Sequence, residues 1–172
     1  MRLAKYFLPT FYVPNVRVVD STICHQLEIQ TLLLDIDNTL AVYGSQEPYL
    51  GIEKWLDGLR AGGINLIIVS NNRKRRVKKF AERLNLPYIA NAKKPFPAVF
   101  LKTLRRFDCL PCNGAVVGDQ LFTDVLGANL AGIRSILVTN ITPESGPFFR
   151  LKRRLEKWIL FNVDVEDDDD DL

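Results

Sequence analysis

Between residues 32 and 138, short apolar runs alternate with longer segments in which apolar residues recur at helical spacing. The apolar runs predict β-strands, and the segments between them predict amphipathic helices. The predicted strands are 32–35, 65–69, 88–90, 115–117 and 135–138, and the predicted helices are 53–61, 73–84, 98–107 and 124–131. Strands that alternate with helices are typical of parallel sheets. We therefore expect an α/β fold, a three-layer sandwich with a parallel sheet in the middle.

The two ends of the chain have different patterns. Residues 6–18 are aromatic and interrupted by Pro9 and Pro14, which predicts an extended arm or loop, and Asp20 is placed to cap a short helix. Residues 148–161 carry leucine and tryptophan on one stripe and basic residues elsewhere, which predicts a basic amphipathic helix. The expected division is an arm and short helix at 1–30, a core at 31–140, the basic helix at 141–163 and a disordered acidic tail at 164–172.

The charge is distributed unevenly along the 172 residues. The net charge is +3, but seven carboxylates lie after residue 163, so the preceding part carries +10. A basic body favours an anionic partner, such as a phospholipid surface, a nucleic acid or a phosphorylated substrate. A solvated surface with a solubilising tail explains the same charge without any partner.

Cysteine content and hydropathy indicate the compartment. The three cysteines, Cys24, Cys109 and Cys112, are an odd number, which argues against a disulfide framework and for a reducing environment. No apolar run reaches the length that spans a bilayer. We therefore expect a cytoplasmic protein that is neither secreted nor integral to a membrane.

Polar residues follow each of the first four predicted strands. Because ligands of an open α/β sheet bind beyond the carboxyl ends of its strands, we expect these residues to share one site. They are Asp35 and Asp37, Ser70 and Asn71, Lys94, and Asp119 and Asp124. Carboxylates suit Mg²⁺, and Ser70 with the amides of a helix start suits a phosphoryl group. With Lys94 and a metal to offset repulsion, a carboxylate is a feasible nucleophile towards phosphorus.

These residues resemble motifs I to IV of the haloacid dehalogenase (HAD) superfamily. The matching segments are Asp35-x-Asp37-x-Thr39, Ser70, Lys94-Pro95 and Gly118-Asp119-x4-Asp124, in the same order and each after a predicted strand. The resemblance implies a Rossmann-like fold and an enzyme that works through an aspartyl phosphate. It implies that Asp35 is the nucleophile, and that Asp37 protonates the leaving alcohol and then activates water.

The same resemblance implies the remaining roles. Ser70 and Lys94 would bind the phosphoryl group, together with Asn71 beside them. The implied Mg²⁺ ligands are Asp35, the carbonyl of Asp37, and Asp119, which binds the metal directly. Asp124 completes the metal site by orienting a metal-bound water or its neighbours. Asp37 in the acid position separates phosphatases from members that lack this carboxylate.

Three points in the site are open. Lys94 is favoured over Lys93 because the lysine of the family directly precedes proline, and Asp119 and Asp124 could exchange their metal roles. Cys109 and Cys112 could join Cys24 and His25 in a zinc site, but the pairs are far apart and a chance loop is the favoured interpretation.

The spacing between the motifs limits the substrate. The intervals from Asp37 to Ser70 and from Ser70 to Lys94 are filled by one predicted helix each and leave no room for a cap domain. An uncovered site cannot enclose a small metabolite, so we expect a large or surface-borne phosphoester.

One branch of the superfamily resembles the chain most fully, the YqeG family of subfamily IIIA. Its members share Leu-Leu-x-Asp-x-Asp-Asn-Thr-Leu, Ser-Asn-Asn, Lys-Pro and Gly-Asp-Gln-Leu-x-Thr-Asp. The family is similar to phosphatidylglycerophosphate phosphatases, which implies an anionic phospholipid substrate and a peripheral position on the inner face of a membrane. A soluble phosphatase for nucleotides, sugars or phosphoproteins is the main alternative. A nucleic-acid-binding module is a weaker one, and no nucleic acid is expected. The oligomeric state is open.

Overall fold

The computed structural model describes residues 4–138, which form a six-stranded, fully parallel sheet covered by helices on both faces. The strands are β1 (Phe11–Val13), β2 (Thr31–Leu34), β3 (Asn65–Val69), β4 (Tyr88–Ile89), β5 (Gly114–Gly118) and β6 (Arg134–Val138). The helices are α1 (Ser21–Gln26), α2 (Ile52–Ala61), α3 (Lys74–Arg83), α4 (Pro97–Arg106) and α5 (Leu126–Leu130). The spatial order of the strands is β1-β6-β5-β2-β3-β4, so β2 and β5 lie at the centre. The predicted three-layer α/β fold is confirmed.

Alternation along the central strand separates two hydrophobic clusters. Leu32 and Leu34 belong to the cluster that contains buried residues of α2 and α3, whereas Leu33 belongs to the cluster with α4 and α5. Successive side chains of a strand point to opposite faces, so an unbroken run of leucines supplies both clusters. This placement buries β2 completely and fixes the position of the residues that follow it.

The amino-terminal segment differs from the sequence-based expectation. Residues 6–18 were expected to form an arm or loop, but the structure adds β1 to the edge of the sheet, parallel to β6. Pro9 and Pro14 lie outside this three-residue strand, so neither removes a donor from its ladder. Thr10 and Ser135 strengthen the pairing by exchanging two hydrogen bonds between main chain and side chain, at 3.1 and 3.0 Å.

The predicted short helix near the amino terminus is confirmed. The Asp20 side chain caps α1 by accepting a hydrogen bond of 2.9 Å from the main-chain N–H of Ile23. None of the helices between residues 4 and 138 combines the length and hydropathy needed to cross a bilayer. The expected basic helix at 141–163 and the acidic tail at 164–172 lie outside the described residues.

No cap domain interrupts the part of the chain from residue 4 to residue 138. The longest connection after a strand runs from Asp35 to Gly51, between β2 and α2, and it contains no helix or strand of its own. The connection from β3 to α3 has only four residues, Ser70–Arg73. The carboxyl ends of the central strands therefore open directly to the surface.

Candidate active site

The fold brings all seven predicted site residues to the carboxyl ends of four adjacent strands. They follow β2 (Asp35, Asp37), β3 (Ser70, Asn71), β4 (Lys94) and β5 (Asp119, Asp124). A cleft of about 150 Å³ lies here. Its walls contain five of the predicted residues, Asp35, Asp37, Ser70, Asn71 and Lys94, and four that the sequence did not single out, Tyr43, Asn72, Gln120 and Thr123. Ser70 is buried, and its hydroxyl accepts a hydrogen bond of 3.1 Å from the Asn72 amide.

Three buried carboxylates form a cluster that could hold a metal ion. One oxygen from each of Asp35, Asp119 and Asp124 lies within 4.8 Å of the other two. The Lys94 ammonium donates hydrogen bonds to Asp35 Oδ1 at 2.8 Å and to Asp124 Oδ1 at 2.6 Å. When all four groups are ionised, they carry a net charge of −2. Hard carboxylate oxygens with this charge fit a divalent cation such as Mg²⁺.

The raised pKa values of these carboxylates indicate that ionising them together is unfavourable without a further cation. Burial raises the pKa of Asp35 to about 6, although Lys94 opposes the shift, and the charge of Asp124 adds to it. Burial also raises the pKa of Asp124, with a further contribution from Asp119. Burial alone would lower the pKa of Lys94, but Asp124 and Asp35 raise it overall, so the ammonium stays charged.

The geometry separates Lys94 from Lys93. Lys94 is buried and its ammonium reaches the carboxylates, whereas Lys93 is exposed and has a positive φ of 60°. The Asn71 side chain holds the main chain of Lys94 with two hydrogen bonds, accepting from its N–H at 2.7 Å and donating to its carbonyl at 3.1 Å. The amide of Asn71 therefore positions Lys94, and the binding of phosphate by Asn71 stays a prediction.

Asp37 lies in a separate set of contacts. Arg76 donates to Oδ2 at 2.8 Å and to Oδ1 at 2.5 Å, Asn72 donates to Oδ2 at 2.7 Å, and the N–H of Gly44 donates to Oδ1 at 2.9 Å. Burial alone would raise the pKa of Asp37, but the hydrogen bonds from Arg76, Asn72 and Gly44 hold it below its ordinary value. The Asp37 carboxylate is not part of the three-aspartate cluster.

Arg76 and Asn72 were missed by the sequence reasoning. Asn72 was noted only as part of the Ser-Asn-Asn segment, and Arg76 was one basic residue among many on a helix predicted from its apolar face. A partial signal was present: Arg76 precedes the buried Phe80 by four residues, so both lie on one side of α3. The exposed Arg73 stands in the same relation to the buried Val77, so this spacing alone does not single out Arg76.

The segment after β5 differs from the predicted helix at 124–131. One turn of π-helix at Leu121–Val125 precedes the shorter α5. A Cβ atom on Gly118 would lie only 2.2 Å from Cγ of Asp124, so the last residue of β5 must be glycine for this carboxylate to fold back on the strand. The wider turn and the glycine together bring Asp124 to the cluster.

The cysteines do not form a metal site. Cys24 and Cys109 are buried, Cys112 is exposed, and all three are free. Among the described residues, the group able to hold a metal contains only the three aspartates. Burial raises the pKa of the Cys24 thiol to about 11, as for an inert core residue.

Comparison with known proteins agrees with this geometry. Residues 15–132 match the family of haloacid dehalogenase-like hydrolases. The chain belongs to this family. It is 35% identical to the probable phosphatase YqeG of Bacillus subtilis over 158 residues, which cover 92% of each chain, so the predicted membership of the YqeG family is confirmed. The protein is thus a HAD-family phosphatase.

Solved structures share the fold at low sequence identity. An uncharacterized protein from Listeria monocytogenes is 18% identical with a TM-score of 0.56, and the match covers 69% of this chain and 85% of that one. The cobalt-bound deoxy-D-mannose-octulosonate 8-phosphate phosphatase of Haemophilus influenzae is 12% identical with a TM-score of 0.54, and the match covers 78% and 90%. These similarities confirm the Rossmann-like HAD architecture.

Proposed function

We propose that this phosphatase removes the terminal phosphate of phosphatidylglycerophosphate at a membrane surface, with Mg²⁺ and an aspartyl-phosphate intermediate. The observation that carries the lipid substrate is a cleft that none of the residues 4–138 covers, on an edge with exposed apolar and cationic side chains. We call this the carboxyl edge, formed by the segments that follow the strands: 14–20, 35–51, 70–73, 90–96 and 119–125. The opposite amino edge is formed by the segments that precede the strands.

The first chemical step forms a bond between Asp35 and phosphorus. An Asp35 oxygen attacks the phosphorus, and the bond from phosphorus to the ester oxygen breaks. Asp37 is ionised in the free enzyme, and it takes up a proton when the negatively charged phosphate ester binds beside it. It then gives this proton to the departing oxygen, which leaves as an alcohol. Lys94 and Ser70 stand on the wall of the same cleft, where they offer an ammonium and a hydroxyl to the phosphoryl oxygens.

The second step returns the enzyme to its starting state. Asp37, now a carboxylate, takes a proton from water as the water oxygen attacks phosphorus. The bond from Asp35 to phosphorus breaks, inorganic phosphate leaves, and Asp37 then gives its proton to solvent. In both steps Asp35 holds the phosphoryl group and Asp37 moves the proton.

The proposed metal ligands are the carboxylates of Asp35, Asp119 and Asp124, with the Asp37 carbonyl as a predicted further contact. A bound Mg²⁺ would supply positive charge that offsets repulsion between Asp35 and the phosphate. The cluster of three buried carboxylates, with Lys94 beside two of them, supports a divalent ion at this position.

Exposed apolar side chains lie on the connections that form the carboxyl edge. Leu50 is 93% exposed, Phe96 follows Lys94 and Pro95 and is 68% exposed, and Tyr43 lines the cleft itself and is 52% exposed. Single exposed apolar residues are common, so their occurrence on several connections of one edge is what supports contact with lipid. Val18 and Val42, which are also exposed, come from the same edge.

The carboxyl edge also presents cations. Arg17, Arg73 and Lys93 are exposed there, and Lys74 is exposed at the start of α3, next to this edge. Glu47, the acidic residue of the connection 41–51, already pairs with Arg83. Each lysine or arginine near an anionic membrane contributes about 1 kcal/mol to binding, and apolar side chains at the interface add to this. These two features support the proposed peripheral position at a membrane surface.

The deciding experiment compares two substrates. We expect magnesium-dependent phosphate release from phosphatidylglycerophosphate in anionic vesicles, at a much higher kcat/KM than from p-nitrophenyl phosphate, and no release by Asp35→Asn. Release from the small substrate alone would reject the lipid proposal and favour a soluble phosphatase. Vesicle co-sedimentation that weakens with salt would separate the two in the same way.

Matched variants test the edge itself. Leu50→Glu and Phe96→Glu should lower the ratio of vesicle activity to soluble activity by about 10-fold, because burying one such side chain contributes about 1.5–3 kcal/mol. Leu110→Glu is the control, because Leu110 is 65% exposed but precedes β5 on the amino edge. An equal effect of Leu110→Glu, or no effect of the first two variants, would contradict membrane contact through the carboxyl edge.

A further inference from the structure

We propose that Arg76 is a positioning residue that holds the Asp37 carboxylate in the orientation needed for proton transfer. The inference rests on the acid–base role proposed for Asp37 and adds a residue that acts through it. In the described part of the chain, Arg76 is not among the residues that line the cleft, so its influence on a substrate would pass through Asp37.

The contact between the two side chains restricts orientation as well as distance. Arg76 Nη1 donates to Asp37 Oδ2 at 2.8 Å, and Arg76 Nη2 donates to Asp37 Oδ1 at 2.5 Å. Two parallel hydrogen bonds from a planar guanidinium fix the plane of the carboxylate, which a single bond from lysine cannot do. The pair is shielded, since the side chains of Arg76 and Asp37 are 21% and 8% exposed.

The same guanidinium joins α3 to the connection that borders the cleft. Arg76 Nη2 also donates to the carbonyl of Ser45 at 3.3 Å, and the neighbouring Gly44 N–H donates to Asp37 Oδ1 at 2.9 Å. Asn72, just before α3, supplies a further hydrogen bond to Asp37 Oδ2 at 2.7 Å. The carboxylate is thereby held from two sides, by the start of α3 and by the connection 41–51.

The surroundings explain why Asp37 needs to be held. It lines the same cleft as Lys94, whose ammonium already binds two carboxylates. A carboxylate with free rotation would be drawn towards this ammonium or towards a bound cation, away from the leaving group. Arg76 and Asn72 offer stronger and better-oriented partners on the other side, and they keep Asp37 separate from the three-aspartate cluster.

The test uses two esters that differ in their need for a proton donor. The nitro group stabilises p-nitrophenolate as an anion, whereas phenolate from phenyl phosphate leaves far better when protonated. Loss of general acid catalysis therefore slows phenyl phosphate more than p-nitrophenyl phosphate. The variants are Asp37→Asn, Arg76→Ala, Arg76→Lys and the double variant that combines Asp37→Asn with Arg76→Ala. Arg75→Ala is the control, because Arg75 is exposed on the same turn.

We expect Arg76→Ala to lower kcat for phenyl phosphate on the order of 10-fold more than kcat for p-nitrophenyl phosphate, a share of the roughly 10²- to 10⁴-fold that a general acid supplies. KM should change little, Arg76→Lys should recover part of the loss, and Arg75→Ala should match the wild type. The double variant should be no slower than Asp37→Asn, because Arg76 acts through Asp37.

Two outcomes would overturn the inference in different ways. Equal losses on both esters for Arg76→Ala, with unequal losses for Asp37→Asn, would reject the role of Arg76 and leave the acid–base role of Asp37 standing. Equal losses for Asp37→Asn itself would reject both. If Arg76→Ala does not fold, as judged by its melting temperature, Arg76→Lys decides: it keeps the charge but loses the bidentate contact, and an equal loss on both esters would reject the inference.

Discussion

Asp35 and Asp37 follow the same strand, are two residues apart and have the same exposed fraction of 6%, yet their surroundings are opposite. Asp35 shares one ammonium with Asp124, and its pKa is raised to about 6, chiefly by burial. Asp37 has a guanidinium, an amide and a main-chain N–H of its own, and these lower its pKa. The exposed fractions are the same, but Asp35 lies deeper in the protein, so burial depth and partners together make the difference. The ionised form of Asp35 needs a further cation to stabilise it, whereas hydrogen-bond donors of the chain itself stabilise the ionised form of Asp37.

The largest effect that tests this comparison is the loss of Asp35. We expect Asp35→Asn to lower phosphate release on the order of 10⁴-fold or more, as removal of a nucleophile does elsewhere. The metal-free variant should melt at a temperature no lower than the wild type near pH 7.5, because one of three mutually repelling buried carboxylates is gone. A clear drop in that melting temperature would show that the ionised Asp35 is satisfied without a metal.

The loss of Asp37 should have the opposite effect on stability. Asp37→Asn leaves the Arg76 guanidinium without its carboxylate, and hydrogen bonds to charged groups contribute about 1.5–3 kcal/mol. We therefore expect a lower melting temperature together with a loss of activity of about 10²- to 10⁴-fold. Calorimetry compares the melting temperatures of Asp35→Asn and Asp37→Asn with that of the wild type. Equal shifts of the same sign in the two variants would contradict the difference proposed between Asp35 and Asp37.

The smallest effect is the dependence of metal stabilisation on pH. Because the pKa of Asp35 is raised in the folded state, its ionisation destabilises the metal-free protein as the pH rises through about 6. Mg²⁺ requires the ionised carboxylates, so it should raise the melting temperature more near pH 7.5 than near pH 5. Asp37, with its lowered pKa, is ionised in the metal-free protein at both pH values, so its contribution to stability is the same at both. Asp119→Asn, which lacks one of the proposed metal ligands, is the control. A rise in melting temperature with Mg²⁺ that is equal at the two pH values would contradict a cluster that binds a cation through ionised carboxylates.

Much of the fold and most of the site could be predicted from the sequence. Apolar runs bounded by glycine, proline and polar residues identified β2 to β6, and the rule that parallel strands share a carboxyl edge brought the site residues together. Short β1 could not be predicted, because three residues between prolines carry no periodicity and their pairing depends on β6. The π turn before α5 depends on Asp124 packing against Gly118, a contact that spacing does not reveal.

The partners of each carboxylate were the least predictable part of the site. Lys94 was assigned through the proline that follows it, and the structure then showed its contact with Asp35 and Asp124. Arg76 lies in a basic segment where composition favours solvent exposure, and its spacing from the buried Phe80 is matched by that of Arg73 from the buried Val77. Side-chain pairing across elements depends on how the helix packs on the sheet, which a single sequence does not specify.

The division of labour between the two carboxylates is tested most directly by trapping the covalent intermediate. Wild type, Asp35→Asn and Asp37→Asn are mixed with Mg²⁺ and p-nitrophenyl phosphate, whose leaving group departs as a stable anion without a proton donor. The samples are quenched rapidly in acid and analysed by peptide fragmentation in a mass spectrometer. Phosphate should appear on Asp35 in the wild type, accumulate in Asp37→Asn because water is no longer activated, and be absent from Asp35→Asn. Phosphate on another residue, or turnover by Asp35→Asn, would contradict the account.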